Sequence, residues 1–243
     1  MPHEWDAAAY DRLPVPMTGW GLVVLERLEL RGDERVLDAG CGTGQVTEAL
    51  RRRLPHGQVV ALDASASMLE RARERLGDAR VIYLRHDLAE PIPIDVVDAV
   101  LSTATFHWVP DHDRLFANLA GVLRPGGRLA AQCGGAGNLR RVSDAAARAV
   151  SIDLEAAKTY AGPQETTQRL RVAGFTQIEC WLQEKPTPLP PEDLEPYLRT
   201  VILSGEVARR TDAEANDLVH AVAIELAQPE IDYVRLNITA TRA

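Results

Sequence analysis

The sequence predicts an α/β fold in which a doubly wound, mostly parallel sheet of seven strands carries helices on both faces. Short apolar runs alternate with amphipathic segments of helical spacing, and the connections between them are short. That alternation is typical of parallel strands whose crossover helices cover the sheet. A chain of 243 residues is long enough for one such domain with an appended segment, whereas two full domains would be cramped.

The first half of the chain contains five predicted strands and three predicted helices. The strands are residues 34–40, 58–65, 80–88, 97–105 and 128–133, and the helices are residues 45–54, 67–76 and 112–123. Each strand is a short apolar run, as expected of a strand buried on both faces. Ser65 or Ser67 can cap the second helix, and Pro125-Gly126-Gly127 ends the third.

The second half of the chain has a less regular pattern. Helices are predicted at residues 141–159, at 166–173 and as one or two segments within 192–227, and strands at 176–186 and 233–243, with a proline-rich connection at 186–191. A helical insertion as long as 192–227 before the last strand could close over a substrate. It could equally serve packing or a subunit contact.

Composition argues against several classes of protein. A net charge of −8 gives no general attraction to nucleic acid or to an anionic membrane surface. The three cysteines are widely spaced, which argues against a disulfide framework and a structural zinc site, and no metal site is predicted. Neither a membrane-spanning run nor a signal-peptide pattern is evident, so we expect a cytoplasmic protein without a membrane partner.

The loop after the first strand carries the most informative motif. Its order is Gly40-Cys41-Gly42-Thr43-Gly44, and Gln45 stands where a dinucleotide-binding fingerprint has its third glycine. Glycine is needed where the backbone turns sharply and a ligand approaches closely. Asp38, at the end of the strand, would repel a pyrophosphate but suits a positively charged ligand such as an ammonium or a sulfonium. Taken singly, it could also be a helix-capping carboxylate.

Four segments together resemble the class I S-adenosylmethionine-dependent methyltransferases: VLDAGCGTG, VVALDAS, LRHDLAE and VLRPGGRLA. The resemblance implies a Rossmann-like methyltransferase fold and S-adenosyl-L-methionine as cofactor. It implies that Asp63 binds both ribose hydroxyls, that Asp87 accepts from the adenine amino group and that Leu88 flanks the ring. The full implied cofactor set is Tyr10, Asp38, Gly40, Gly42, Gly44, Asp63, Ala64, Met68, Asp87, Leu88 and Thr103. Taken singly, Asp63 could be a solvated strand end and Met68 a core residue.

The segment STATFHWVPDHDRLFANLAGVLRPGG and the opening WDAAAYDRL resemble the trans-aconitate methyltransferase group of small-molecule enzymes. By that resemblance Tyr10 reaches the cofactor carboxylate, with Arg12 a less certain neighbour; the alternative is a surface helix packed through Trp5 and Tyr10. We therefore expect a single domain, residues 1–243, with an N-terminal helical cover (1–30), a cofactor-binding core (31–133) and a substrate-side half (134–243).

The acceptor site is less sharply predicted. His107 follows the fourth strand at the open edge of the sheet, so it is a candidate general base or, alternatively, a hydrogen-bonded wall residue. His86 has a weaker claim, and His3 and His112 are expected to be exposed. The predicted pocket residues are Phe106, His107, Trp108, Trp181, Tyr197 and Arg199. A tricarboxylate would need converging cations, but the sequence does not place Arg140, Arg141 and Arg199 together. An apolar or aromatic acceptor is therefore equally compatible.

Methyl transfer to a small molecule is the predicted function, with oxygen, nitrogen and carbon acceptors all open. Neither an [ND]-P-P-[YFW] motif after the fourth strand nor a Pro-Cys dipeptide is present, which disfavours nucleic-acid substrates. Three alternatives stay open: a sensor that binds S-adenosylmethionine, a cyclisation or rearrangement without methyl transfer, and an NAD-dependent oxidoreductase. The last fits poorly with Asp38 and the glycine spacing. A monomer or a homodimer is expected.

Overall fold

The computed structural model describes residue 7, residue 11 and residues 16–154 and 158–243. His3, Trp5, Tyr10 and Arg12 lie outside the described residues, so their predicted roles stay predictions. The strands are β1 Arg35–Ala39, β2 Gln58–Asp63, β3 Val81–Arg85, β4 Val97–Thr103, β5 Leu123–Gly134, β6 Phe175–Pro188 and β7 Glu230–Arg242. They form one seven-stranded sheet in the order β3-β2-β1-β4-β5-β7-β6, in which only β7 runs antiparallel to its neighbours. The predicted fold class is confirmed.

Helices cover both faces of the sheet. They are α1 Met17–Glu26, α2 Gln45–Arg53, α3 Ala66–Leu76, α4 His112–Val122, α5 Arg140–Val150, α6 Pro163–Val172, α7 Leu194–Tyr197, α8 Ser204–Val207 and α9 Asp212–Leu226. Apolar residues of α1, α2 and α3 pack with one face of the central strands. Those of α4 and α6 pack with the other. None of the helices in the described part of the chain is long and apolar enough to cross a membrane.

The first part of the helical insertion before β7 is broken into short pieces, and only its second part, α9, is a continuous helix of 15 residues, whereas one or two helices were predicted. After α7 the chain makes a π-helical turn over Leu198–Ile202, and Thr211 then begins α9 with a capping box to Glu214. The pieces share an apolar core with α5 and with the start of β7. The insertion is therefore a packed subdomain beside the carboxyl end of β5.

Two predicted boundaries differ from the structure by about five residues or more. The helix predicted over 141–159 ends at Val150, because Ser151 adopts a left-handed conformation with φ of 56°. Strand β5 begins at Leu123 and not at residue 128, since Leu123 already pairs with Val97 and an irregularity in β4 follows that pair. Neither difference changes the topology, and both lie where turn residues compete with an extended backbone.

Candidate cofactor and acceptor site

The glycine loop between β1 and α2 has the geometry of a ligand cradle. Gly40, Gly42 and Gly44 have φ of 86°, 54° and 82°, a left-handed region that glycine adopts freely. A Cβ on Gly40 would overlap the side chain of Thr105, so the loop must pass close to the turn after β4. A Cβ on Gly42 would meet no described atom within 4 Å. Gly40 is thus required by packing, whereas Gly42 faces open space.

Asp38 is buried on β1 directly below this loop. Its Oδ2 accepts a 2.7 Å hydrogen bond from the Thr47 hydroxyl, while Oδ1 is buried without a hydrogen-bond partner among the described residues. Burial raises the pKa of Asp38 to about 7, although the Thr47 hydrogen bond opposes the shift. The carboxylate caps no backbone N–H of a helix. A buried, half-satisfied carboxylate suits a cationic ligand group.

Asp63 ends β2 and joins the glycine loop to the start of α3. One carboxylate oxygen accepts from the Gly42 N–H at 2.9 Å, and the other accepts from the Ser65 N–H at 2.9 Å. Asp63 is therefore not a freely solvated strand end. The Ser65 hydroxyl in turn accepts from the N–H of Met68, whose side chain is buried in the first turn of α3.

The other described residues of the predicted cofactor set lie at the same edge of the sheet. Asp87 is exposed after β3, where its side chain accepts from the Ala89 N–H at 2.9 Å, and Leu88 is buried against the α4 face. Thr103 is the last residue of β4 and Ala64 follows β2 directly. Because β1 to β4 are parallel, their carboxyl ends form one continuous rim, and the predicted residues share it.

His107 stands at the acceptor side of this rim, in a 3₁₀ turn over Phe106–Trp108. Its Nδ1 accepts a 3.3 Å hydrogen bond from the Gly134 N–H at the end of β5. An N–H can only donate, so Nδ1 holds a lone pair and the neutral ring carries its proton on Nε2. The ring stacks on Tyr160 with centroids 5.8 Å apart.

Two cationic side chains lie close to His107. The Lys158 ammonium sits 4.5 Å from the centre of the Trp108 ring, and burial lowers its pKa to about 8. Arg235 on β7 is only 2% exposed, with its guanidinium over the rings of Trp20 and Tyr233. Burial, followed by the charges of Arg235 and Lys158, holds the pKa of His107 well below its usual 6.5. The acceptor side is thus locally positive in a protein of net charge −8.

The structure gives other environments to several residues predicted to line the pocket. Phe106 packs on Phe116 in the core, and the Tyr197 hydroxyl lies 2.8 Å from the Tyr233 hydroxyl in the core of the insertion. Trp181 stacks with Arg27 on the outer part of the sheet, and Arg199 binds Asn216 and Asp212. His112 is buried, so the expectation that it is exposed is wrong.

The sequence analysis did not single out Lys158, Tyr160 and Arg235, which surround His107 in the structure. Arg235 stands out in the sequence as a charged residue within the apolar run of the last strand, but that pattern alone indicates a solvent-facing side chain. Lys158 and Tyr160 stand in an irregular segment between α5 and α6, where no periodicity constrains their direction. Their position follows from the Thr159 N–H, which donates to the His107 carbonyl at 2.9 Å.

Comparison with known proteins identifies the family. The family described as "Methyltransferase domain" matches residues 37–131. Trans-aconitate 2-methyltransferase of Methylobacterium nodulans is 35% identical over 179 residues, which are 74% of this chain and 67% of that protein. The chain belongs to the class I S-adenosylmethionine-dependent methyltransferases. The same enzyme of Mycolicibacterium gilvum is 42% identical over 112 residues, covering 46% of this chain and 42% of that protein. Several other relatives of this name are matched over about half of their length.

Solved structures agree with this family. Phosphoethanolamine N-methyltransferase 2 of Haemonchus contortus, with S-adenosylhomocysteine bound, matches 92% of this chain and 52% of that one, with a TM-score of 0.61 and 25% identity. A putative methyltransferase of Bacillus halodurans matches 91% and 98% of the two chains, with a TM-score of 0.64, and at 18% identity it shows the fold alone. The cofactor is S-adenosylmethionine, and Asp38 and the open side of Gly42 fit its cationic groups and its bulk.

Proposed function

We propose that this methyltransferase transfers the methyl group to a carboxylate oxygen of a small organic acid. The supporting observation is the convergence of Lys158, Arg235 and the neutral His107 ring on the acceptor side of the rim. The buried Lys158 ammonium is stabilised by nearby negative charge, and an acceptor carboxylate supplies it. The rings of Trp108 and Tyr160, next to Lys158 and His107 respectively, add an apolar wall for the carbon skeleton of the acid.

The protonation state of His107 supports the same acceptor. Bound S-adenosylmethionine supplies an electrophilic methyl group on a sulfonium. A carboxylate oxygen is already ionised, so it would accept this methyl group from the sulfonium sulfur without loss of a proton. His107, holding its proton on Nε2, then acts as a hydrogen-bond donor that orients the acid and not as a general base.

The curated relatives bear the name of a tricarboxylate acceptor, trans-aconitate. Among the described residues, Lys158 and Arg235 are the basic side chains whose charges act on His107, and Arg199 is engaged by Asp212 instead. We therefore propose an organic acid with fewer carboxylates, or one that presents only part of its charge to this pocket. Residues 31–133 bind the cofactor and residues 134–243 complete the acceptor side in this proposal.

The setting of the enzyme belongs to the same proposal. We propose a monomer or homodimer that acts in the cytoplasm on a free small molecule and not on nucleic acid, which the net charge of −8 disfavours as a partner. The insertion at 192–227 serves as a fixed packing element, since its apolar residues share one core with α5 and β7. Sizing by light scattering tests the oligomeric state, and a gel-shift assay with nucleic acid tests the proposed absence of nucleic-acid binding.

A matched panel of acceptors tests the proposed chemistry. The purified protein is incubated with S-adenosylmethionine and small organic acids, each paired with its primary amide and its alcohol, and products are read by mass spectrometry. We expect the acids alone to gain one methyl group and the products to hydrolyse in mild base, as esters do. Methylation of the alcohols or of the amides would overturn the carboxylate proposal while leaving methyl transfer intact. An isomer without a mass gain would indicate rearrangement.

A further inference from the structure

Asp11, from the N-terminal segment, reaches the glycine loop. Its carboxylate Oδ1 accepts from the Thr43 hydroxyl at 2.7 Å and from the Gln45 side-chain amide at 2.8 Å. The Asp11 side chain is only 8% exposed. Thr43 lies between Gly42 and Gly44, which have left-handed backbones and no side chains. The loop therefore has few side chains that could form hydrogen bonds within it. Asp11 thus supplies a contact that the loop sequence cannot make alone.

Two arginines of α3 complete this cluster. Arg75 donates to Oδ2 of Asp11 at 2.8 Å and Arg71 donates to the same oxygen at 3.2 Å. Arg75 also donates through Nε to the Thr43 carbonyl at 2.9 Å. Thr43 is therefore held twice, by its hydroxyl through Asp11 and by its carbonyl through Arg75.

The same loop is held from its other side by Asp63, the residue proposed to bind the ribose hydroxyls. The Gly42 N–H donates to Asp63, so the Cys41–Gly42 peptide is fixed by one carboxylate and the Thr43 side chain by another. Without Asp11, Arg71 and Arg75 would face each other beside the loop without their shared anion. Like charges would then repel, and the Thr43 hydroxyl would lose its acceptor.

We infer that Asp11 is a positioning residue for the cofactor. As a clamp, it links Thr43 and Gln45 to Arg71 and Arg75 of α3 and so holds the glycine loop in its ligand-binding conformation. Cofactor binding is thereby coupled to the contacts of Asp11 with the loop. Release of the cofactor then involves breaking the Asp11 ion pairs. The inference rests on the assigned cofactor and not on the identity of the acceptor.

Titration calorimetry with S-adenosylmethionine tests the clamp with a matched pair of variants. Asp11→Asn should weaken the affinity about tenfold or more, because charge-assisted hydrogen bonds to the carboxylate are lost. Glu74→Gln is the control, since it removes the same charge from the same Arg71 guanidinium but makes no described contact with the loop. Its affinity should equal that of the wild type.

Salt separates a clamp from a general loss of stability. The wild-type affinity should fall as potassium chloride rises from about 0.05 M to about 0.5 M, since the ion pairs are partly screened, and Asp11→Asn should lose most of that dependence. If Asp11→Asn folds poorly, Arg75→Gln breaks the cluster from α3. The Asp11→Asn/Arg75→Gln double variant should lose less than the product of the two single losses.

Two outcomes would overturn the clamp. One is an Asp11→Asn protein with wild-type affinity and wild-type salt dependence; the other is an equal loss in Glu74→Gln. The wild-type protein is measured first, so that absence of S-adenosylmethionine binding there would count against the cofactor assignment itself. Equal binding by wild type and Asp11→Asn would count against the positioning role alone.

Discussion

The cofactor half and the acceptor half of this site are built in different ways. The cofactor half follows directly from β1 and β2, and its central contacts are made by backbone: Asp63 accepts two N–H groups, and Gly40 is fixed by close approach to Thr105. The acceptor half gathers side chains from the turn after β4, from the segment before α6 and from β7. A site fixed by its own backbone leaves a contiguous motif, and a site assembled from distant side chains does not.

The largest expected effect follows from removing the carboxylate on which the cofactor half depends. Asp63→Ala should weaken S-adenosylmethionine binding by about tenfold to a hundredfold, because two backbone N–H groups lose their acceptor together with the proposed ribose contacts. Calorimetry measures the change. Asp78→Ala, an exposed acidic residue just after α3, is the control. Wild-type affinity in Asp63→Ala would contradict the cofactor assignment of this residue.

A second substitution should leave the cofactor half intact and weaken the other. Lys158→Gln should raise the KM for an acid acceptor about tenfold, because a desolvated cation beside the acceptor is lost, while the affinity for S-adenosylmethionine stays unchanged. Lys185→Gln on the edge strand β6 is the matched control. A loss of cofactor affinity in Lys158→Gln would contradict the proposal that the cofactor half and the acceptor half of the site bind their ligands independently.

The same contrast explains how far the sequence alone could go. The alternation of strands and helices, the glycine loop and the positions of Asp38 and Asp63 were predictable because backbone turns demand glycine and parallel strands end at one rim. Arg235 was not, because a polar residue alternating with apolar ones normally faces solvent, whereas here it packs against Trp20 of α1. Burial of a strand residue by a helix that is distant in sequence depends on the tertiary fold and cannot be predicted from the strand sequence alone.

Acidity should act on the cofactor half through Asp38. Its folded pKa of about 7 lies above the 3.8 of a free aspartate side chain, so the stability that its protonated form contributes is lost as the pH rises through 7. The cationic cofactor favours the ionised form. Affinity should therefore fall about tenfold between pH 8 and pH 6, and the thermal shift with ligand should shrink in parallel.

A variant of the hydroxyl that supports Asp38 provides the control. Thr47→Val removes the hydrogen bond that opposes the rise of the Asp38 pKa, so the midpoint of the affinity profile should move to higher pH. A profile that is flat from pH 6 to pH 8 in both proteins would mean that Asp38 stays ionised throughout. Its pairing with a cofactor cation would then need another explanation.

The smallest expected effect is also the one that decides the role of His107. Loss of a general base typically costs about 10²–10⁴-fold in rate, whereas loss of one orienting hydrogen bond costs far less. His107→Gln retains a side-chain N–H donor, so we expect kcat with an acid acceptor to fall less than about tenfold and to show no titrating limb between pH 6 and pH 8. His86→Gln, on the turn after β3, should match the wild type. A hundredfold loss in His107→Gln would indicate that His107 is a general base and that the acceptor must lose a proton. His107 could take up that proton on Nδ1 only if Nδ1 left its hydrogen bond with the Gly134 N–H during turnover.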